Sequence, residues 1–308
     1  MESTWYIILN PVAGQGAAKK KWPLIAEQLQ IATIPYVIHF TESSGHAINL
    51  VTNAITQQYR KILAIGGDGT NNEVVNGILS QNLVPSTDIT YALFPIGTGN
   101  DWVKHYKIPT QLSQWFSYLK KGKTSLQDIG LVKYQAGQQR KQRYFTNVAG
   151  MAYDGFIAKT LSEKKQPVTN QLVYLSLVFR CLFRYKLQPL RITFDEGVYE
   201  GYCYTINVGI CKYSGGGMQF VPHAIADDGL LALTIAGKLS KLSVLLNTPR
   251  FYTGTIDQHP KVETYQSKKI SVEALGNQEA ELEVDGEFLG TTPVQYHILP
   301  KALKIIIP

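Results

Sequence analysis

The sequence predicts a doubly wound α/β domain followed by an antiparallel β-sandwich domain. Over residues 5–125, short apolar strand patterns alternate with helical patterns, as in a parallel sheet covered by helices. Near Asp128-Ile129-Gly130 this alternation is replaced by runs with a period of two, separated by Gly, Asn and Asp turns. The length of 308 residues is sufficient for two domains. We therefore predict an α/β domain over residues 1–127 and a sandwich over residues 128–308.

In the first part, four strand patterns alternate with helical ones. The predicted strands are Trp5 to Leu9, Ile34 to Phe40, Ile62 to Ile65 and Ile89 to Phe94; the predicted helices lie near Ala17 to Gln30, Ala47 to Gln58 and Asn71 to Leu79, with two short helices after the fourth strand. Strands joined through helices run parallel, and ligands bind beyond their carboxyl ends. We expect the four loops at these ends to converge on one edge of the sheet.

The second part contains period-two runs and one helical insertion. The runs are Leu190 to Phe194, Tyr202 to Val208, Leu230 to Ile235, Lys269 to Val272, Glu281 to Val284 and Leu303 to Ile307. The insertion, Asn170 to Lys186, has a wide apolar face, which fits a wall for acyl chains or a membrane-docking surface, and fits a buried core helix equally well. Trp102, Tyr106 and Trp115 raise the same question.

Composition and charge narrow the classes of partner. The net charge of +7 favours anionic partners, but the basic clusters lack the interleaved aromatic residues of a nucleic-acid surface, so we expect no nucleic acid. Three cysteines without a CxxC pair and six scattered histidines argue for a reduced compartment and against zinc. Neither a signal segment nor an apolar run of ~20 residues is evident. We expect a cytoplasmic protein.

The most informative stretch is Gly66-Gly67-Asp68-Gly69-Thr70, which lies between a predicted strand and a predicted helix. Glycine allows backbone N–H groups to approach an anion, and the helix N-terminus adds unpaired donors and partial positive charge, so the stretch predicts a phosphate site. A carboxylate at Asp68 suits such a site if Mg²⁺ lies between it and the phosphates. The alternative is a tight turn capped by Asp68.

Two common nucleotide motifs are missing. Gly14-Gln15-Gly16 is not followed by the third glycine of a dinucleotide fingerprint, and none of the glycine runs ends in the GK[ST] of a Walker A loop. Instead, a second glycine loop, Gly97-Thr98-Gly99-Asn100-Asp101, follows the first by ~30 residues. The pair of loops is the specific signal.

Together these loops resemble the diacylglycerol kinase catalytic-domain family, which includes bacterial lipid kinases and sphingosine kinases and is related to NAD kinases. The similar segments span nearly the whole chain: Asn10-Pro11 with Gly14 and Gly16, Thr41 to His46, Gly66 to Glu73, Pro95 to Asp101, Asn147 to Phe156, Gly215 to Met218, Pro222 to Leu230 and Val284 to Glu287. The resemblance implies an ATP-dependent lipid kinase, most simply one that converts diacylglycerol to phosphatidic acid.

The resemblance also implies the nucleotide contacts. By position they are Asn10, Thr41, Gly66, Gly67, Asp68, Gly69, Thr70, Asn71, Asn72, Glu73 and Thr98. Among them, Asp68 would reach the magnesium bound to ATP, which is a catalytic role because phosphoryl transfer depends on positioning and charge neutralisation. For Thr98, a helix-capping hydroxyl is the alternative.

The base toward the acceptor hydroxyl is expected near the C-terminus. Val284-Asp285-Gly286-Glu287 resembles the family's Asp-Gly-Glu motif, and we favour Glu287 as the base with Asp285 supporting it, leaving their order open. An Asp-Gly pair between two strands is also the strongest signal for an ordinary hairpin. If the motif is catalytic, transfer should depend on closure between two domains.

A structural Mg²⁺ is implied at Ala226-Asp227-Asp228-Gly229-Leu230. The Asp228 carboxylate and the backbone carbonyls of Ile225 and Leu230 would hold it, with water completing the shell. A surface turn is the alternative. The glycine run at residues 215–217 would line the substrate cleft or form a bulge.

The partners that follow are a lipid substrate at the membrane surface, transient peripheral contact with the membrane, and a possible homodimer. Three alternatives remain: a kinase for a sphingoid base, ceramide or phosphatidylglycerol; an enzyme similar to NAD kinase with a water-soluble acceptor; and a non-catalytic relative that binds nucleotide or lipid. The acidic residues of both motifs, Asp68, Asp285 and Glu287, argue against the last.

Overall fold

The structure is a computed structural model that describes residues 3–97, 99–164 and 171–308. It contains two compact units, Met1–Ile129 with Leu299–Pro308, and Gly130–Ile298. The predicted second domain, 128–308, differs at its C-terminal end, because the last ten residues belong to the first unit. There, Lys304 and Ile305 pair in parallel with Thr90 and Tyr91. Leu303 to Ile307 is therefore not part of the sandwich.

The first unit contains the strand and helix alternation that the sequence predicts. Its strands are β1 (Trp5–Leu9), β2 (Tyr36–Phe40), β3 (Lys61–Gly66) and β4 (Thr90–Pro95), and its helices are α1 (Ala17–Ile31), α2 (His46–Thr56), α3 (Asp68–Ser80), α4 (Asp101–Tyr106) and α5 (Leu112–Lys121). Each predicted element is present, with ends that move by a few residues. The longest shift concerns α3, which begins at Asp68 because the last three residues of the glycine loop already form its first turn.

The sheet of this unit is parallel, in the order β2-β1-β3-β4. All five residues of β1 are buried. β3 and β4 are buried along nearly their whole length. A parallel sheet covered on both faces needs such continuous apolar strands. The carboxyl ends of its strands therefore meet at one edge, where the loops at residues 10–16, 41–45, 66–67 and 96–100 begin.

The tryptophans that could have faced lipid lie in the core. Trp102 and Trp115 are fully buried. Their indole N–H groups donate to Gln127 Oε1 and to the Leu93 carbonyl, each at 2.9 Å. Tyr106 packs beside Trp102, with ring centroids 5.1 Å apart. We therefore assign these residues to packing of α4 and α5, since buried indoles need a hydrogen-bond acceptor.

The second unit consists mainly of antiparallel strands. In chain order the remaining strands are β5 (Thr124–Ala136), β6 (Gln139–Phe145), β7 (Val148–Ala152), β8 (Gln188–Phe194), β9 (Gly197–Cys203), β10 (Thr205–Gly209), β11 (Tyr213–Ser214), β12 (Met218–Gln219), β13 (Leu231–Ala236), β14 (Val262–Ser267), β15 (Lys269–Ala274), β16 (Glu281–Val284) and β17 (Glu287–Ile306); its helices are α6 (Tyr153–Ser162), α7 (Gln171–Arg184) and α8 (Lys241–Thr253). The unit boundaries fall within β5 and β17.

Two strand paths build the sandwich and share β17. One path is β14-β13-β10-β7-β16-β17, and the other is β9-β8-β15-β17-β5-β6. The predicted sandwich is thus confirmed. The run Tyr202 to Val208 forms two strands, because Tyr204 interrupts the strand between β9 and β10.

The helical insertion predicted at Asn170 to Lys186 is α7. It buries Leu177, Cys181 and Leu182, whereas Phe179 and Phe183 are about half exposed. Among the described residues, none of the helices is long and apolar enough to span a membrane. The core-helix interpretation is therefore correct for one face of α7 only.

Candidate active site

The glycine loop lies where β3 ends and α3 begins. Gly66 is the last residue of the strand, and Asp68 is the first of the helix. A side chain at Gly66 would collide with the side chain of Thr70 in the first helical turn. Glycine at this position therefore allows the strand to turn directly into the helix, and the predicted order of strand, loop and helix is confirmed.

Asp68 joins the two glycine loops. Its Oδ2 accepts a hydrogen bond from the backbone N–H of Asn100 at 2.8 Å, and its Oδ1 accepts one from the N–H of Asp101 at 3.2 Å. A Cβ added at Gly99 would lie 2.6 Å from Asp68 Oδ2. The second loop can approach the carboxylate this closely because position 99 has no side chain.

The environment of Asp68 disfavours its charge. Burial raises the pKa of Asp68 to about 6, and the nearby Asp101 carboxylate adds to the rise, while the two backbone N–H groups oppose it. Asp101 itself is paired with Lys104 at 3.0 Å. A carboxylate with a raised pKa is stabilised by a cation, so the arrangement favours binding of a positive ion at Asp68.

The loop after β1 meets the glycine loop. Asn10 Nδ2 donates to Thr70 Oγ1 at 3.1 Å, and Asn10 Oδ1 accepts from the N–H of Val12 at 3.2 Å. The loop after β4 meets the same region, because the N–H of Ile96 donates to the Gly66 carbonyl at 2.8 Å. A Cβ at Gly14 would lie 2.9 Å from Ile96. The loops after β1, β3 and β4 are thus in contact, as the parallel order predicted.

Two predicted nucleotide contacts have side chains that serve the fold. Asn71 and Asn72 are buried. Tyr91 donates to Asn71 Oδ1 at 2.7 Å, and Asn76 donates to Asn72 Oδ1 at 3.0 Å. The N–H of Asn71 donates to the Gly67 carbonyl at 3.0 Å, so this group is also used within the fold.

Glu73 stabilises the start of α2. Its Oε1 accepts from the N–H of Gly45 at 2.7 Å, and its Oε2 accepts from the N–H of Ala47 at 3.3 Å. A carboxylate at a helix N-terminus satisfies unpaired N–H groups. Glu73 therefore positions the loop after β2, whose first residue Thr41 donates its N–H to the Leu9 carbonyl at 2.9 Å.

The remaining predicted contacts lie at or near the surface of the loop. Gly67 and Asp68 are half-buried and Gly69 is exposed, while Thr70 is buried beneath them. Thr98 lies outside the described residues. Among the described residues, the predicted nucleotide site therefore consists of exposed and half-buried loop backbone around Asp68.

These residues fit a nucleotide with a divalent cation. The Oδ1 of Asn100 is buried without a hydrogen-bond partner among the described residues, and it lies in the loop that Asp68 holds. Oxygen atoms of carboxylates and amides are the ligands that Mg²⁺ prefers. Asp68 and Asn100 would hold the ion, and the backbone N–H groups at the start of α3 would face the phosphates.

The Asp-Gly-Glu motif forms a two-residue hairpin turn. Val284 of β16 pairs with Glu287 of β17, and the turn residues Asp285 and Gly286 have φ angles of +47° and +89°. Positive φ at both positions is the geometry for which Asp-Gly is favoured. The hairpin interpretation is therefore correct, and it leaves the chemistry of the two carboxylates open.

The two carboxylates of this motif have different partners. Asp285 accepts from the backbone N–H groups of Val148 at 3.3 Å and Thr146 at 3.4 Å, and its own N–H donates to the Val148 carbonyl. Glu287 has a side chain that is 44% exposed and pairs with Arg143 at 3.1 Å. The Glu287 side chain is thus partly exposed and paired with a cation, whereas Asp285 is bound to backbone N–H groups.

Sequence reasoning missed two buried acids behind this turn. Glu283 Oε2 accepts from the N–H of Gly286 at 2.8 Å, and burial raises the pKa of Glu283 well above its usual range. Asp154, hydrogen-bonded to Thr205 Oγ1 at 2.5 Å, has a pKa that burial raises to about 6. The signal for Glu283 was its position two residues from Glu281 in a period-two run.

Arg143 was also missed, because the basic clusters were considered only as a surface for anionic partners. Its side chain is only 21% exposed. Burial of a cation requires an anionic partner, which the sequence could not identify across more than a hundred residues.

The predicted structural metal site has few ligands. Asp228 is exposed, and its oxygens accept hydrogen bonds from the N–H of Leu230 at 3.0 Å and from Gln266 Nε2 at 3.1 Å. Ile225 is exposed as well. Among the described residues, no group of three His, Cys, Asp or Glu side chains could hold a metal ion. A metal here would depend on backbone carbonyls and water, and the site stays a prediction. The glycine run at 215–217 forms the loop of the β11-β12 hairpin.

Comparison with known proteins identifies both parts of the chain. Residues 4–132 match the family model of the diacylglycerol kinase catalytic domain, and residues 148–307 match that of the YegS C-terminal NAD kinase beta sandwich-like domain. The second match alone covers more than half of the chain.

Individual proteins agree with these matches. A diacylglycerol kinase of Staphylococcus saprophyticus is 29% identical over 98% of this chain and 94% of its own length. A solved structure of a candidate diacylglycerol kinase from Bacillus anthracis has a TM-score of 0.81 at 23% identity, covering 99% of this chain and 95% of that one. Yeast NADH kinase shares the fold more distantly, with a TM-score of 0.50 at 11% identity over 100% of this chain and 84% of that one. The chain therefore belongs to the diacylglycerol kinase catalytic-domain family and is a lipid kinase.

Proposed function

We propose that the protein transfers the γ-phosphoryl group of ATP to the free hydroxyl of diacylglycerol and so produces phosphatidic acid. The observation that carries this proposal is the Asp68 carboxylate, held by the N–H groups of Asn100 and Asp101 between two glycine loops. Relatives named diacylglycerol kinase that match nearly the whole chain support diacylglycerol as the acceptor.

The first unit would bind and orient the donor. The start of α3 presents backbone N–H groups to the phosphates, and Asp68 with Asn100 would hold Mg²⁺, which neutralises charge on the phosphates when bound. Thr70 and Asn10 keep the loop after β1 beside this surface through their 3.1 Å hydrogen bond. Orientation of this kind accounts for most of the catalysis in phosphoryl transfer.

The second unit would supply the base. The Glu287 carboxylate takes the proton of the acceptor hydroxyl as the hydroxyl oxygen bonds to the γ-phosphorus, and the bond to the β–γ bridging oxygen breaks to release ADP. Arg143, 3.1 Å from Glu287, orients that carboxylate through their ion pair. Asp285, held by the N–H groups of Thr146 and Val148, positions the turn.

A direct test measures transfer from labelled ATP to a panel of acceptors in mixed micelles. The panel contains diacylglycerol, sphingosine, ceramide and phosphatidylglycerol, with NAD offered in solution. Diacylglycerol should be the preferred acceptor, and the Asp68→Ala variant should be inactive. Asp88→Ala is the matched control, because Asp88 is an exposed acid of the same unit whose side chain has no role in the site.

Three results would contradict the proposal. Preference for another lipid would move the assignment to that acceptor, and preference for NAD would favour the activity of the more distant structural relative. Full activity of Asp68→Ala with any acceptor would exclude the proposed role of this carboxylate. We further propose that the enzyme acts in the cytoplasm, in transient contact with the membrane that contains its substrate.

A further inference from the structure

The largest group of exposed apolar side chains in the second unit lies on two helices, α7 and α8. On α7, Phe179 and Phe183 are 49% and 53% exposed. On α8, Leu242 and Leu246 are 65% and 71% exposed, with Leu245 and Tyr252 also exposed. We call these six residues the apolar surface. A typical globular protein exposes large apolar side chains singly, so a group of six requires an explanation.

The two helices are in contact where α7 ends and α8 begins. Lys241, the first residue of α8, donates from Nζ to the Phe183 carbonyl at 2.6 Å, and its ammonium lies 5.4 Å from the centre of the Phe183 ring. The rings of Phe179 and Phe183 are themselves in contact, with centroids 5.0 Å apart. The exposed residues of α7 and the start of α8 therefore form one patch.

The packing of α8 is unusual for a helix of a folded protein. None of its residues is buried, although six of its thirteen residues are Leu, Val, Phe or Tyr. An amphipathic helix normally turns its apolar side to a core, and this one turns at least three leucines to the outside. Helices with exposed apolar residues and a charged flank lie in membrane interfaces.

The charged side chains on the two helices have a single sign. The helices contain the cations Arg180, Arg184, Lys241 and Arg250, and neither α7 nor α8 contains an Asp or Glu residue. Lys186 and Lys238, which flank the helices, are exposed as well. A surface that binds another protein would be expected to contain charges of both signs. An anionic lipid leaflet instead matches cations around an apolar centre.

We propose that α7 and α8 form the surface by which the protein docks on an anionic membrane, with Phe179, Phe183, Leu242 and Leu246 entering the headgroup boundary. The cations around them bind lipid phosphates and carboxylates. The inference rests on the proposed function only because a lipid acceptor has to be reached at a membrane, and its test needs no ATP and no transfer.

The test measures binding of the purified full-length protein to sedimented vesicles. Vesicles of phosphatidylcholine with phosphatidylserine should retain the protein, and vesicles of phosphatidylcholine alone should retain far less. The double variant Leu242→Glu with Leu246→Glu should bind at least tenfold less, because it replaces inserting side chains with anions. Both residues are exposed, so the variant should fold, which its circular dichroism will check.

A second variant separates charge from insertion. Arg180→Gln with Arg184→Gln should weaken binding to the anionic vesicles roughly twentyfold, since each cation near an anionic leaflet contributes about fivefold. This loss should vanish in high salt, because salt screens exposed charges. Leu83→Glu, at a site 57% exposed in the first unit, is the matched control and should bind as the wild type does.

Three outcomes would overturn the inference. The first is wild-type protein that does not bind anionic vesicles, and the second is a Leu242→Glu, Leu246→Glu variant that binds as well as wild type. The third is a concentration-dependent dimer that this variant abolishes, which would assign the surface to a second copy of the chain. Transfer to a short-chain diacylglycerol dissolved in detergent is measured in parallel. It should be unchanged in the variant, and its absence from all proteins would reject the proposed function without affecting the vesicle result.

Discussion

Replacing Asp68 by Asn tests both the electrostatics and the role of the glycine loop. Burial raises the pKa of Asp68 from 3.8 to about 6. At about 1.4 kcal/mol for each pH unit, ionised Asp68 destabilises the folded state by about 3 kcal/mol relative to the neutral acid. The Asn amide is neutral like the protonated carboxyl group, but its Nδ2 replaces one of the two oxygens that accept backbone N–H bonds, and loss of that bond costs about 1 kcal/mol. The variant should therefore be more stable than wild type by about 2 kcal/mol at pH 7.5.

The sign of the pH dependence follows from the direction of the shift. Because the pKa of the folded state is the higher one, the wild type carries the full cost above pH 6 and none below the pKa of the unfolded chain, near 3.8. The advantage of the Asn variant should fall to nearly zero near pH 4.5, where the charge costs the wild type only about 1 kcal/mol. Meanwhile its transfer activity should fall at least a hundredfold, since a neutral amide holds Mg²⁺ poorly.

Urea unfolding followed by tryptophan fluorescence measures the stability of the first unit, which contains Asp68. All four tryptophans of the chain, Trp5, Trp22, Trp102 and Trp115, lie in the first unit. The exposed Asp88→Asn variant is the control and should match wild type at both pH values. A variant that gains no stability at pH 7.5, or the same amount at pH 4.5, would refute a buried charge at Asp68, and one that retains full transfer activity would refute its role in catalysis.

Three further predictions concern the other positions. Glu287→Gln should lower kcat by about 10²- to 10⁴-fold with little change in ATP binding, because a general base contributes that much; a matching loss of nucleotide affinity by calorimetry would contradict this role. Gly99→Ala should reduce transfer strongly, because its Cβ would lie 2.6 Å from Asp68 Oδ2, whereas Gly197→Ala, where a Cβ meets nothing within 4 Å, should leave activity unchanged; equal activity of the two variants in the labelled-ATP assay would argue against close packing at Asp68. Asp228→Ala should lower the melting temperature and abolish any dependence of that temperature on added Mg²⁺; a melting curve that keeps the same magnesium dependence would exclude a structural metal at this loop.

Much of the first unit could be predicted because its signals are local. A buried parallel strand is a continuous apolar run, and a helix after it has its own period, so β1, β3 and β4 and their helices were visible without knowledge of distant contacts. The glycine loop was visible for the same reason, since Gly66 and Asp68 are adjacent in the chain. The roles of the side chains near Asp68 were harder to predict. Asn71, Asn72 and Glu73 lie a few residues after Asp68, yet their side chains stabilise the fold.

The second unit was predicted less completely because its contacts are distant in sequence. A period-two run does not identify its partner strand, so the return of residues 299–308 to the first unit and the division at Tyr204 could not be predicted. The pairing of Arg143 with Glu287 and the burial of Asp154 near Glu283 likewise depend on strand register.

The sequence alone determined the fold class and the resemblance to lipid kinases, and it predicted a phosphate site at Gly66 to Thr70. These features depend on local propensity and on short motifs, which are present in the chain before it folds. The tertiary structure alone decided that the Asp68 carboxylate is held by the N–H groups of Asn100 and Asp101, that Asp285 is tied to backbone while Glu287 is accessible, and that α7 and α8 share one exposed apolar surface. Burial and pairing between distant residues exist only after the chain has folded, and they set the charge state and the accessibility of each of these groups.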